Sequence, residues 1–328
     1  MNRTSIDWWA WRSQSTPEGH QQALQAAFGR PVQCHRRKGG FMGFEASADV
    51  RVGDLEAGVM AWGGANQKGW TFTSITGAGC AWIGDWDRAQ EAADGCKAYE
   101  PRRVDVALDL HDGSSSFDAT LAAYRAGGFS PAGCGRPPRC HPMKPEAGHE
   151  SAIIKIGNRA SNKYLRGYEK GKQLLGPAFA AALASEDGDL GEVAMQMHPR
   201  FALDGTHTMV SMWDWWRLEL ELKPQTAPLP EDVIDRRDQY FAGAYPYLGE
   251  VLQGVDPEAL VMRRERGPQL DLALSLATIQ KQWGSTLFTA LVAHHGDMGA
   301  VWEQICGHKH NDRLVKAGVL MVDHDDCQ

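Results

Sequence analysis

RRVDVALDL, residues 102–110, alternates without a break. Val104, Val106, Leu108 and Leu110 fall on one side of an extended strand, with Arg103, Asp105, Ala107 and Asp109 on the other. A strand apolar on one side and charged on the other belongs in an antiparallel sheet with a single packed face. Two further segments repeat the pattern. In WRLELELK, residues 216–223, Leu218, Leu220 and Leu222 oppose Arg217, Glu219, Glu221 and Lys223. In KYLRGYEKG, residues 163–171, Tyr164, Arg166, Tyr168 and Lys170 share a side.

Outward from these strands, glycine-punctuated strand patterns run from Gly39 to about Ile83, and Asp85 opens a helix. The turn HDGSSS, residues 111–116, supplies a serine to cap the helix FDATLAAYRAGG. Residues 127–150 are rich in Gly and Pro and read as an irregular connection, followed by the strand SAIIKIGN and, at 177–197, helical sequence. The first 30 residues read as a tryptophan-rich start and the helix PEGHQQALQAAF. After Pro224 the character turns helical: residues 231–252, 256–266 and 270–295 each carry helical patterns. The expected organisation is an α+β domain over residues 1–225, an antiparallel sheet with helices on one face, and a mainly helical region over 226–328. That second region is a candidate for a separate binding role or for oligomerisation.

Composition narrows the function. The net charge of −7 argues against a generic nucleic-acid binder, yet Lys155, Arg159, Lys163, Arg166, Lys170 and Lys172 cluster against the single anion Glu169. A phosphate backbone can be gripped there while the rest stays acidic. Neither a secretory signal nor an apolar run long enough to span a membrane is visible, so a cytoplasmic protein is expected. The seven cysteines form no CxxC pair; Cys134, Cys140, His141 and His149 lie close together but fit no standard zinc spacing.

If the three alternating strands are neighbours, one surface holds carboxylates, tyrosines and cations, a mixture suited to phosphoryl transfer. Carboxylates hold Mg²⁺ or Mn²⁺, a tyrosine attacks phosphorus, and arginine or lysine neutralises the charge that develops. Glu219 and Glu221 stand roughly 7 Å apart along a strand and Asp105 and Asp109 about 13 Å, which favours Asp105 of the second pair as a ligand. Alternation with one charged side also describes any half-exposed strand, so periodicity alone does not establish catalysis. Trp213 and Trp216 read as core more than as base-stacking platforms.

Four stretches resemble the replication initiation factor family, the Rep_trans-type rolling-circle initiators of some plasmids and filamentous phages. They are GWTFTSITGAGCAWI, RRVDVALDLHDG, IGNRASNKYLRGYEKG and WWRLELELK, in the family's order across about residues 70–223, with Asn158 where a serine is usual. The resemblance implies a relaxed HUH-endonuclease-like sheet and a nickase acting at a replication origin, where that second region is the candidate for origin binding, beside host helicase and polymerase, with a homodimer as the candidate assembly. Tyr168 would be the nucleophile, leaving a 5′-phosphotyrosine and a free 3′-hydroxyl, with Arg166 and Lys170 assisting and Tyr164 in reserve. Asp105, Asp109, Glu219 and Glu221 would hold the metal, and Arg159, Ser161, Lys163, Tyr164 and Lys172 would contact DNA. No His-hydrophobic-His motif is present: His308 and His310 flank a lysine, and His294 and His295 are adjacent. The competing readings are a DNA-binding regulator without catalysis and a mobilisation relaxase with the same chemistry.

Overall fold

In the computed structural model the alternating segments pair with one another. The structure describes residues 3–130, 137–145, 151–174, 202–203, 208–209, 215–224, 228–260 and 272–311. Its strands are β1 (Ser5–Ser13), β2 (Gln33–Arg36), β3 (Ala46–Val52), β4 (Leu55–Trp62), β5 (Thr71–Ile75), β6 (Glu100–Leu110), β7 (Cys140–Met143), β8 (Ile153–Gly157), β9 (Lys163–Glu169), β10 (Ala202–Leu203), β11 (Thr208–Met209) and β12 (Trp216–Leu222). Ten of them form one antiparallel sheet in the order β2-β3-β4-β5-β1-β6-β12-β9-β8-β7, and β10 pairs with β11. The helices are α1 (Pro17–Phe28), α2 (Gly77–Cys80), α3 (Trp86–Asp94), α4 (Phe117–Arg125), α5 (Arg237–Ala244), α6 (Pro246–Val251), α7 (Leu272–Ala293) and α8 (Met298–Ile305).

The apolar side of the sheet takes the helices. Trp9, Trp11, Val104, Val106, Leu165, Leu218 and Leu220 join one buried cluster with Leu24 and Phe28 of α1, Ala89 of α3, Phe117 of α4, Phe241 of α5 and Leu248 of α6. Removing this apolar area from water is the main force that holds the layers together. The caps follow the sequence: Asp85 accepts from the Arg88 amide and Ser116 from the Ala119 amide, each meeting an otherwise orphaned helical N–H. The α+β class and the helices on one face are as expected.

Three details differ from expectation. The tryptophan-rich start, to which the sequence assigned no element, forms β1, which sits between β5 and β6 and leads into the expected helix as α1. Within the connection expected to be irregular, β7 forms the sheet's last strand; Pro142 is tolerated there because an edge strand leaves one row of N–H positions unpaired. Residues 231–252 are not one helix, because Tyr245 is extended and Pro246 begins α6 anew. The helical sequence at 177–197, Cys134, His149 and Trp213 lie outside the described residues.

The chain divides into Met1–Met262 and Arg263–Gln328, so the first unit runs past the boundary expected near 225. The reason is an anchor between α5 and the start of β1. Asp238 is buried and accepts from the Arg3 amide at 2.7 Å, the Thr4 amide at 2.9 Å and the Thr4 hydroxyl at 2.6 Å. Leu229, Val233, Ile234 and Leu252 complete the cluster beneath the sheet. In the second unit, α7 and α8 pair, with Asp297 capping α8 through the Ala300 amide. Among the described residues no helix is long and apolar enough to cross a membrane.

Candidate active site

Register turns three sequence-distant strands into a grid. On β12, Arg217, Glu219 and Glu221 stand opposite Asp109, Ala107 and Asp105 of β6 and opposite Tyr168, Arg166 and Tyr164 of β9. Directly opposed residues in an antiparallel pair project to the same face, so all nine share the polar side of the sheet. The expected convergence of tyrosines, carboxylates and cations is therefore present.

At its centre the Tyr168 hydroxyl donates to Glu219 Oε2 at 2.8 Å. Arg166 donates to the other oxygen of Glu219 and reaches Asp105 at 3.5 Å. Arg103 grips both oxygens of Asp105, at 2.8 and 2.5 Å, and lies 3.2 Å from Glu221. Lys223 holds Glu221 at 2.5 Å. Burial raises the Asp105 carboxyl to about 7, against the opposing pull of Arg103. Burial, and then the Glu219 charge, push the Tyr168 phenol far above its ordinary range, so it rests neutral. Burial also pushes the Lys170 ammonium down; its Nζ lies 5.7 Å from the Tyr168 ring centre.

Gly167 explains why the strand reads R-G-Y. It faces the packed side, where a Cβ would stand 2.7 Å from Trp216 Cζ2 and 2.9 Å from Ile154 Cγ2. Only a bare backbone lets β9 lie that close to the core while Arg166 and Tyr168 reach the other side.

A second cluster adjoins the first. Arg217 is held on two oxygens of Asp109, at 2.6 and 2.7 Å, and on Asp7 at 2.8 Å, while Trp215 Nε1 donates to Asp109 at 2.6 Å. Asp7 escaped the sequence reading. It occupies a bulge, where the β1–β6 register shifts between Ile6 and Trp8, so no period-two count places it on this face. Gly77 leaves room for it: a Cβ there would sit 3.0 Å from Asp7 Oδ1. Burial raises the Asp7 carboxyl.

The residues expected on DNA are more dispersed. Arg159 is exposed in the β8–β9 turn, where Ser161 is half-buried. Lys163 instead donates to the Ala244 carbonyl and stacks over the Tyr245 ring, and Lys172 pairs with Glu169 at 2.9 Å. Tyr164 is buried, which raises its phenol.

The four expected metal ligands share the face but do not gather. Each is paired with a guanidinium or ammonium, and among the described residues no three His, Cys, Asp or Glu side chains come together to hold a metal. Glu221 Oε2 is buried without a hydrogen bond, and even this atom lies 3.2 Å from Arg103 Nη2. Mg²⁺ or Mn²⁺ does not fit this arrangement without displacing arginines. Cys140 and His141 are consecutive on β7 and so project to opposite faces, which separates them as zinc ligands.

No protein-family model matches the chain, and no curated protein matches it. Among solved structures it is similar to a rolling circle replication initiator protein from Geobacillus stearothermophilus, at 14% identity and a TM-score of 0.44, over 67% of this chain and 74% of that one. A likeness that distant assigns neither family nor activity.

Proposed function

We propose that the protein nicks one strand of DNA through Tyr168, as an initiator of rolling-circle replication. The observation that carries the reading is the Tyr168–Glu219 hydrogen bond, within a grid that also holds Arg166, and with Lys170 Nζ 5.7 Å from the Tyr168 ring centre. A neutral phenol is a weak nucleophile and needs a base beside it, and Glu219 stands at hydrogen-bonding distance. In the reaction, Tyr168 Oη bonds to the scissile phosphorus as its proton passes to Glu219 Oε2. The bond from phosphorus to the 3′ oxygen breaks, and that oxygen takes a proton from Lys170 or water. Arg166 is placed to neutralise charge on the phosphate oxygens. The product is a 5′-phosphotyrosyl strand and a free 3′-hydroxyl, which a host polymerase can extend. The order of the four sequence stretches supports the same reading. No step is assigned to Mg²⁺ or Mn²⁺, since the carboxylates are already engaged by cations.

One observation favours a second reading, a DNA-binding regulator without catalysis. Tyr168 is only 7% exposed, so a phosphate reaches it only after a local opening. Supercoiled DNA carrying the sequence around the protein's own gene separates the two readings, with and without Mn²⁺. Open circles with protein on the 5′ end, absent from Tyr168→Phe, support the nickase. Tight binding without any adduct supports the regulator.

A further inference from the structure

Two tryptophans on the polar side of the sheet are clasped by arginines. The segment WWAW splits its rings between faces: Trp9 and Trp11 are buried in the core, whereas Trp8 lies half-buried opposite Asp105. The Arg103 guanidinium stands 4.5 Å from the Trp8 ring centre. Four residues along β1, Arg12 stands 4.1 Å from the ring of Trp70, which is also half-buried. Arg12 and Phe72 are directly paired, which places the residues two before and two after them on this same side. Trp8 and Arg12 are about 13 Å apart along the strand, and β1 lies about 14 Å from β9, counted as three strand spacings. The two aromatic–cation pairs thus continue the surface that holds Tyr168.

We propose that this track binds an unpaired DNA strand, its bases stacking on the layered pairs of Trp8 with Arg103 and Trp70 with Arg12. The inference rests on the nickase reading for its ligand class, and the track's chemistry selects the single-stranded form. Only an unpaired strand can turn base faces toward an indole, and stacking accepts any base. Charge agrees: Arg12 at 2.7 Å and Arg102 at 3.9 Å share the one carboxylate of Glu100, leaving a local positive surplus for phosphate. The strand displaced by nicking, or the one presented for it, would lie across β1 toward Tyr168.

The experiment is an anisotropy titration with a labelled oligothymidylate, which carries no origin, beside a duplex of equal length. Trp8→Ala and Trp70→Ala are each expected to weaken oligothymidylate binding roughly tenfold, the scale of one lost base–aromatic stack, with duplex binding unchanged. Trp8→Phe should retain most of the affinity. If the alanine variants do not fold, Trp8→Leu and Trp70→Leu keep apolar bulk without an aromatic face and carry the same expectation. Unchanged affinity in the folded variants, equal loss on single strand and duplex, or no binding by the wild type would each overturn the proposal. Cleavage is read separately. Stacking without nicking would sink the nickase and leave the track standing.

Discussion

Tyr168 and Glu219 lie 51 residues apart in the chain, on adjacent strands, and share a 2.8 Å hydrogen bond. Because the Glu219 charge helps hold the phenol high, the pair makes opposed demands that one substitution can separate. In Glu219→Gln the phenol should become more acidic while nicking falls about 100-fold, since the proton acceptor is gone. A tyrosinate absorbance titration beside a nicking assay checks both. Nicking that survives in this variant would remove Glu219 as the base.

Arg217 is only 10% exposed and neutralises two carboxylates, Asp7 and Asp109. Arg217→Ala leaves those charges uncompensated and is expected to cost about 3 kcal/mol of stability. Arg217→Lys keeps the charge but loses the two-pronged grip, so its cost should be smaller. Urea unfolding midpoints of the three proteins test the order.

Gly167→Ala should destabilise the fold by about 1–3 kcal/mol, because the added methyl meets an indole and an isoleucine that are already packed. Nicking should fall as well, since relief of the clash shifts Tyr168 and Arg166 together. Melting temperature and cleavage rate are the readouts, and an unchanged pair would show that β9 has slack.

Buried His20 bonds Ser13 and Thr73, at 2.7 Å each, and stacks on Trp11; burial lowers its imidazole from 6.5 to about 3. In the unfolded chain the ring titrates near its ordinary value, so below about pH 6.5 the unfolded state binds a proton that the folded state refuses. This contribution is complete above that pH and is lost as pH falls. The expected slope is about 1.4 kcal/mol per pH unit, absent in His20→Gln. Urea denaturation at about pH 7 and 5 compares the two proteins; parallel losses would contradict it.

The faces of β6, β9 and β12 were legible because each keeps period two, and a one-residue error would have buried charges. Their adjacency was not, since β12 inserts between β6 and β9 from later in the chain. Trp8 and Asp7 were hidden for two reasons: the apolar run WWAW shows no alternation, and the bulge moves Asp7 out of phase. The cations that pair with the expected metal ligands were not legible either. A shared face says which charges are near one another, but not that Arg103, Arg166 and Arg217 take the carboxylates first.

The nucleophile can be identified directly by digesting the protein–DNA adduct and sequencing the DNA-linked peptide by mass spectrometry. The modification is expected on Tyr168, with no adduct from Tyr168→Phe. Linkage at Tyr164 or elsewhere, or an adduct that persists in Tyr168→Phe, would contradict the assignment of Tyr168 and Glu219 as nucleophile and base.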